Sequence, residues 1–213
     1  NHIKRIISAL NIPVAQLENY EADDIIGSIA EKNKENNQIF ILTGDKDLNQ
    51  LIGNNITILN SKKGVTDLIS IDRQTFEAKY EIKLPQFRDY LALIGDSSDN
   101  VPGVAGIGPK TAVKLLREYS DIDDIYANID KITPESLRAK LSANRENAYL
   151  SKKLVSIITD LNIDIEIPAF NKNSICNLRD LFAEFEFYSL IKELSPAHNS
   201  DSAVLTSADN NSD

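Results

Sequence analysis

The stretch Gly95-Asp96-Ser97-Ser98-Asp99-Asn100-Val101-Pro102-Gly103-Val104-Ala105-Gly106-Ile107-Gly108-Pro109-Lys110-Thr111-Ala112 constrains this chain more than any other. Asp96 and Asp99 follow an apolar helical run, Phe87 to Ile94. A short glycine-rich hairpin, Gly103 to Gly108, comes next, and Pro109 stands at the natural first position of a helix. Ala112, Val113, Leu115 and Leu116 make that helix apolar, and Lys110, Lys114 and Arg117 are its cations. Glycines let a backbone approach a ligand with its N–H groups exposed. The helix start behind them attracts anions through unpaired donors and partial positive charge. The pattern predicts a helix–hairpin–helix gripping a nucleic-acid backbone beside a carboxylate site. Taken singly, the hairpin reads equally as a plain turn and the aspartates as solvated loop residues; their joint occurrence favours the functional reading.

Two more acidic groups stand at the ends of regular elements. Ile3, Ile6, Ile7 and Leu10 follow helical spacing and open the chain. Glu21, Asp23 and Asp24 then lead into a second helix carried by Ile25, Ile26, Ile29 and Ala30. Alone, such acids read as helix-start charges, each stabilising by about 0.3–1 kcal/mol. The apolar run Gln38 to Leu42 suits a buried strand. Beyond its carboxyl end, where ligands bind in open α/β sheets, lie Asp45 and Asp47, with Gly44 allowing a sharp turn. Asp47 as a simple N-cap is the alternative. Ile56 to Leu59 and Val65 to Ile71 read as strands joined by a turn at 61–64, and Asp72 as the N-cap of a helix through Phe76 to Tyr80.

From there the pattern is helical. Ile122, Ile125, Tyr126 and Ile129 make one face; Tyr149, Leu150, Leu154 and Ile158 another; Leu178, Leu181, Phe182, Phe185 and Tyr188 the last. Residues after Pro196 read as a disordered tail or linker. The 213 residues, 42% hydrophobic, suffice for one large or two small domains. The single cysteine, Cys176, excludes an internal disulfide, fits a reducing compartment, and reads as a buried apolar residue. His2 and His198 lie near the ends with no partners in sequence and receive no catalytic role. The chain opens on Asn1 and contains no methionine, which reads as a piece of a longer protein. Net charge is −9, which weighs against a nucleic-acid binder, although carboxylates held for cations count as negative here.

Seven like charges share a pocket only where cations neutralise them. An all-oxygen ligand set selects Mg²⁺ or Mn²⁺ over zinc. Two such ions about 3.5–4 Å apart suit phosphodiester cleavage. With a phosphate-gripping hairpin alongside, the combination predicts a metal-dependent nuclease on DNA or RNA.

The pieces Tyr20 to Ile26, Leu42 to Leu48, Leu93 to Gly103 and Gly106 to Ala112, with Ala148 to Ser151 and Leu178 to Phe182, resemble the 5′ nuclease (flap endonuclease) domain at the front of bacterial DNA polymerase I. The resemblance covers residue 1 to about Leu194. It implies an α/β fold: the remnant of a mixed or parallel-sheet nuclease core over residues 1–72, a helical helix–hairpin–helix domain over 73–195, and a tail over 196–213. It implies a 5′–3′ exonuclease and flap endonuclease of replication and repair, in the bacterial cytoplasm, using two divalent ions. By resemblance Glu21, Asp23, Asp24, Asp45, Asp47, Asp96 and Asp99 are catalytic metal ligands, Mg²⁺ or Mn²⁺ the cofactor, and K⁺ a companion at the hairpin. Gly103, Gly106, Ile107, Gly108, Lys110, Thr111 and Lys114 are the DNA contacts. The partners are flapped, nicked or duplex DNA and a polymerase domain following in the same chain. The family's leading strand, two further aspartates and a basic arch lie upstream of Asn1, so little cleavage is expected of these residues alone. A non-catalytic DNA-binding remnant is the competing class, and an RNA-processing nuclease of the same fold a third.

Overall fold

The computed structural model describes residues 2–61 and 67–194. In chain order the elements are α1 (His2–Ala9), α2 (Ala22–Asn33), β1 (Ile39–Leu42), β2 (Ile56–Ser61), β3 (Leu68–Ile71), α3 (Arg73–Tyr80), α4 (Phe87–Ile94), α5 (Pro109–Glu118), α6 (Ile122–Ala127), α7 (Glu135–Ala143), α8 (Arg145–Val155), α9 (Leu178–Glu184) and α10 (Tyr188–Glu193), with short 3-10 turns between some of them. The described residues divide into two compact units, one drawn from 16–61 and 67–163 and the other from 2–15 and 164–194. No helix among the described residues is long and apolar enough to cross a membrane.

The larger unit holds a mixed sheet in the order β1-β2-β3. β1 runs parallel to β2, with Ile39 opposite Ile56 and Leu42 opposite Leu59. β3 returns antiparallel, pairing Ile58 with Ile71 and Ser61 with Leu68. Ile56 and Ile58 point into the core, as period-two alternation requires. The expected buried β1 is corrected: Ile41 alone is buried, while Phe40 is 62% and Leu42 57% exposed. Among the described residues β1 pairs only with β2, and nothing packs over the face bearing those two side chains. The turn expected at 61–64 lies, beyond Ser61, outside the described residues.

Helices cover the other face. Asp72 caps α3 as expected, its carboxylate accepting the Thr75 N–H at 2.8 Å. Phe76 stacks on Tyr80 at 4.6 Å and meets Phe87 edge-on at 4.9 Å, and both phenylalanines are fully buried. Burying each is worth about 1.5–3 kcal/mol, so this cluster pins α3 to α4. Gln86 does the same by hydrogen bonding: its Nε2 donates to the carbonyls of Leu116, Ser120 and Tyr119, at 2.6, 3.0 and 3.1 Å, beneath the end of α5. Ile122, Ile125 and Tyr126 are buried as the spacing predicts.

The face expected on α8 is corrected. Leu150, Leu154 and Ile158 are exposed, and Ala148, Ser151 and Val155 are buried instead. The larger side chains lose the core because small ones let α8 pack closely against α4, and Ser151 Oγ accepts the Gly103 N–H at 2.9 Å.

In the smaller unit, α1, α9 and α10 gather around modest cover. Arg5 forks onto Glu184 with two 2.6 Å bonds, and Asn177 Nδ2 donates to the Ala9 carbonyl at 3.2 Å. His2, expected to be without partners, lies with its ring 4.1 Å from that of Phe185. Cys176 is exposed rather than buried, because the turn that carries it, Lys172–Asn177, turns Ser174 inward.

Candidate metal and nucleic-acid site

Three loops of the larger unit bring the acids together. β1 ends at Leu42, and Thr43 N–H still bonds to the Leu59 carbonyl. Thr43 Oγ1 then accepts the Asp45 N–H at 2.9 Å, and Asp45 Oδ1 accepts the Asp47 N–H at 2.9 Å. This local ladder aims Asp45 and Asp47 off the strand end. Gly44 is not what permits the turn: a Cβ there would meet nothing within 4 Å and its φ is not in the left-handed region. Nor does Asp47 cap the following turn; it makes no such bond, and its Oδ1 is buried with no hydrogen-bond partner.

The second loop follows α4. Asp96 and Val101 exchange backbone bonds of 3.0 and 2.7 Å, closing a tight loop that carries Asp99 on its exposed side. Asp96 Oδ1 accepts the Ser98 N–H at 2.8 Å, and its other oxygen pairs with the Lys46 ammonium from the first loop. The third contribution is the start of α2. Asp23 is half-buried there, Glu21 is the exposed N-cap residue without a side-chain bond, and Asp24 Oδ1 accepts the Ile158 N–H at 2.9 Å.

The carboxylates feel one another. Burial, then repulsion from Asp45, pushes the Asp47 carboxyl up to about 6 from an ordinary 3.8, with Asp96 and Asp99 adding to the rise. Burial, then Asp45, also raises Asp23, with Glu21, Asp24 and Asp99 behind it. Asp96 is held low by its bonds from Lys46 and from the Ser98 N–H. Among the described residues no three acids, and no His or Cys with them, close on one point as a finished ligand set. The donors nevertheless fit a hard cation: all are oxygens, and the buried, unpartnered Asp47 Oδ1 is the group a cation would satisfy.

The hairpin packs beside this cluster. Val104 O accepts the Ile107 N–H at 3.0 Å across a turn whose third residue, Gly106, has φ 77°, and Val104 N–H donates to the Leu93 carbonyl at 2.9 Å. Of the expected DNA contacts, Gly103 and Ile107 face inward. Gly103 is buried with its N–H on Ser151, and Ile107 is 4% exposed with its N–H inside the turn. Gly106, Gly108, Lys110 and Lys114 are exposed and Thr111 half-buried. Pro109 opens α5 at its first position, and Gly108 O accepts the Thr111 and Ala112 N–H groups. Sequence reasoning passed over Lys46 and Ser151. The cation flanked by two aspartates was the available signal for Lys46; nothing in sequence singles out Ser151.

A mixed sheet whose strand end carries aspartates, followed by a helical layer with a helix–hairpin–helix, defines the architecture of a 5′ nuclease. Two family models match consecutively: "5′-3′ exonuclease, N-terminal resolvase-like domain" over residues 1–81 and "5′-3′ exonuclease, C-terminal SAM fold" over residues 82–177. The chain belongs to the 5′–3′ exonuclease family. It is 41% identical to DNA polymerase I of Caldicellulosiruptor bescii over 203 residues, covering 91% of this chain and 23% of that protein. It is 36% identical to the 5′-3′ exonuclease of Aquifex aeolicus over 195 residues, covering 90% of this chain and 65% of that protein. The chain thus spans under a quarter of the polymerase relative. Among solved structures, T5 5′-exonuclease with bound zinc matches at TM-score 0.61 and 19% identity, covering 88% of this chain and 67% of that one. The catalytic core of Rad2 in complex with DNA substrate matches at TM-score 0.60 and 16% identity, covering 89% and 67%. Both likenesses concern the fold.

Proposed function

We propose that these residues form part of a metal-dependent 5′–3′ exonuclease and flap endonuclease acting on DNA, in the manner of the nuclease domain of a bacterial DNA polymerase I. The observation that carries the reading is the convergence of Asp23, Asp45, Asp47, Asp96 and Asp99 into one field, with an unpartnered buried oxygen on Asp47. Asp45, Asp47, Asp96 and Asp99 are assigned to Mg²⁺ or Mn²⁺, with Glu21, Asp23 and Asp24 at the start of α2 as the further ligand candidates. Bound there, such ions supply charge neutralisation and a water activated as nucleophile. Gly106, Gly108, Lys110, Thr111 and Lys114 hold a duplex phosphate backbone, with K⁺ as a candidate companion at the turn. Residues 1–72 are assigned to the nuclease core, 73–195 to the DNA-binding part. In the whole protein a polymerase domain following in the chain is the natural partner.

A second reading, a DNA-binding unit that does not cleave, is favoured by the absence of a closed ligand set among the described residues. A labelled 5′-flap duplex incubated with the whole protein and Mn²⁺ decides between them. Cutting that falls about 10²-fold or more in Asp45→Asn and Asp96→Asn supports the nuclease. DNA binding without cutting in any variant supports the second reading.

A further inference from the structure

An open groove of about 610 Å³ lies between α3, α4 and α5. Its lining includes Lys79, Tyr80, Tyr90, Lys110, Lys114 and Arg117. The chain as a whole is strongly acidic, yet this groove has four cations against Glu81 and Glu118. Arg117 is committed to Glu81 at 2.8 Å, and Lys110 and Lys114 form no ion pair among the described residues. The two phenols are held by their rings: Tyr80 is stacked on Phe76 and capped by Lys79 at 4.9 Å, and Tyr90 is 8% exposed. Ring faces so occupied cannot take a stacked base. Neither hydroxyl has a hydrogen-bond partner among the described residues, although both side chains border the groove. Burial raises both phenols, so the hydroxyls stay protonated and can donate. Tyr80 also feels the charges of Lys46 and Asp47.

We propose that this groove is a second phosphate-binding track, taking backbone phosphates of the DNA strand that runs on from the carboxylate cluster, with the Tyr80 and Tyr90 hydroxyls and the Lys79 and Lys114 ammonium groups as donors. The inference rests on the DNA-binding reading above and extends it to α3 and α4. Phosphate contact of this kind carries no base preference.

The test is binding of labelled duplexes of two unrelated sequences across a salt series in EDTA. Lys79→Ala is expected to weaken both equally and flatten the log–log salt slope by about 0.9. The Tyr80→Phe, Tyr90→Phe double variant keeps the ring packing. It is expected to weaken binding about tenfold with the slope unchanged, because a neutral hydroxyl displaces no counterion. Lys110→Ala serves as the control for the hairpin. If Lys110→Ala weakens binding while Lys79→Ala and the double variant do not, the groove assignment is overturned and the hairpin reading stands. If all three bind as the parent does, both are overturned. Inorganic phosphate stabilising the parent but not the double variant, with DNA affinity unchanged, would mean a free-phosphate site and overturn the assignment to DNA.

Discussion

Gly95 and Gly103 lie backbone against backbone across the base of the loop that carries Asp96 and Asp99. A Cβ on Gly95 would stand 2.9 Å from Gly103 N, and one on Gly103 would stand 2.6 Å from Gly95 N. Both residues have φ in the left-handed region, 71° and 64°. The clash is with backbone on both sides, so no side chain can swing away to relieve it. This contact seats the acid loop on α4 and sets the hairpin at a fixed distance from the acids.

Gly103→Ala is therefore expected to destabilise the larger unit by more than about 2 kcal/mol, combining left-handed strain with backbone overlap. Gly44→Ala, with open space around its Cβ, should be close to neutral. Urea unfolding of the two variants measures the contrast; equal midpoints would refute the clamp.

The pH response of Asp47 has a definite sign. Its carboxyl is raised to about 6 from 3.8, so between those values the folded state holds more protons than the unfolded one. Stability should fall as pH rises through that window and stay lowered above it. Asp47→Asn, measured in EDTA, should melt higher than the parent at pH 7.5 and lose that advantage near pH 4. A parent curve that rises from pH 4 to 6 as much as the variant's would contradict the assignment.

Metal should reverse the same cost. Mn²⁺ is expected to raise the melting temperature more at pH 7.5 than at pH 5, where protons compete for Asp47, since a ligand bound only by the folded state stabilises it. Asp45→Ala and Asp96→Ala should each abolish most of the gain. Melting curves in Mn²⁺ indistinguishable from those in EDTA would count against the ion site.

Lys46 bridges two of the three acid loops by pairing with Asp96. Removing it as Lys46→Met leaves Asp96 and Asp47 without their nearest cation. Melting temperature in EDTA should drop, while Arg at the same position should restore most of it. Calorimetry should also show tighter Mn²⁺ binding to Lys46→Met, since one competing charge is gone.

Much of the local structure around the candidate site was legible from the chain alone because its determinants are local. Asp72 as a cap, Pro109 as a helix start and the aspartates past the ends of β1 and α4 follow from neighbouring residues and from strand or helix period. So does the inward face of α6. What the tertiary structure alone decided depends on partners distant in sequence. Ala148, Ser151 and Val155, not the larger leucines, line α8's inner face because α4 approaches too closely for bulk. Ile107 and Gly103 turn inward because the hairpin is seated on Leu93 and Ser151. Asp24 bonds the Ile158 amide, Lys46 reaches Asp96 fifty residues away, and Asp47 is buried without a partner. Period and composition report which residues favour water or core; which of them meet is set by how the loops pack, and that packing brings Asp23, Asp45, Asp47, Asp96 and Asp99 within electrostatic reach of one another.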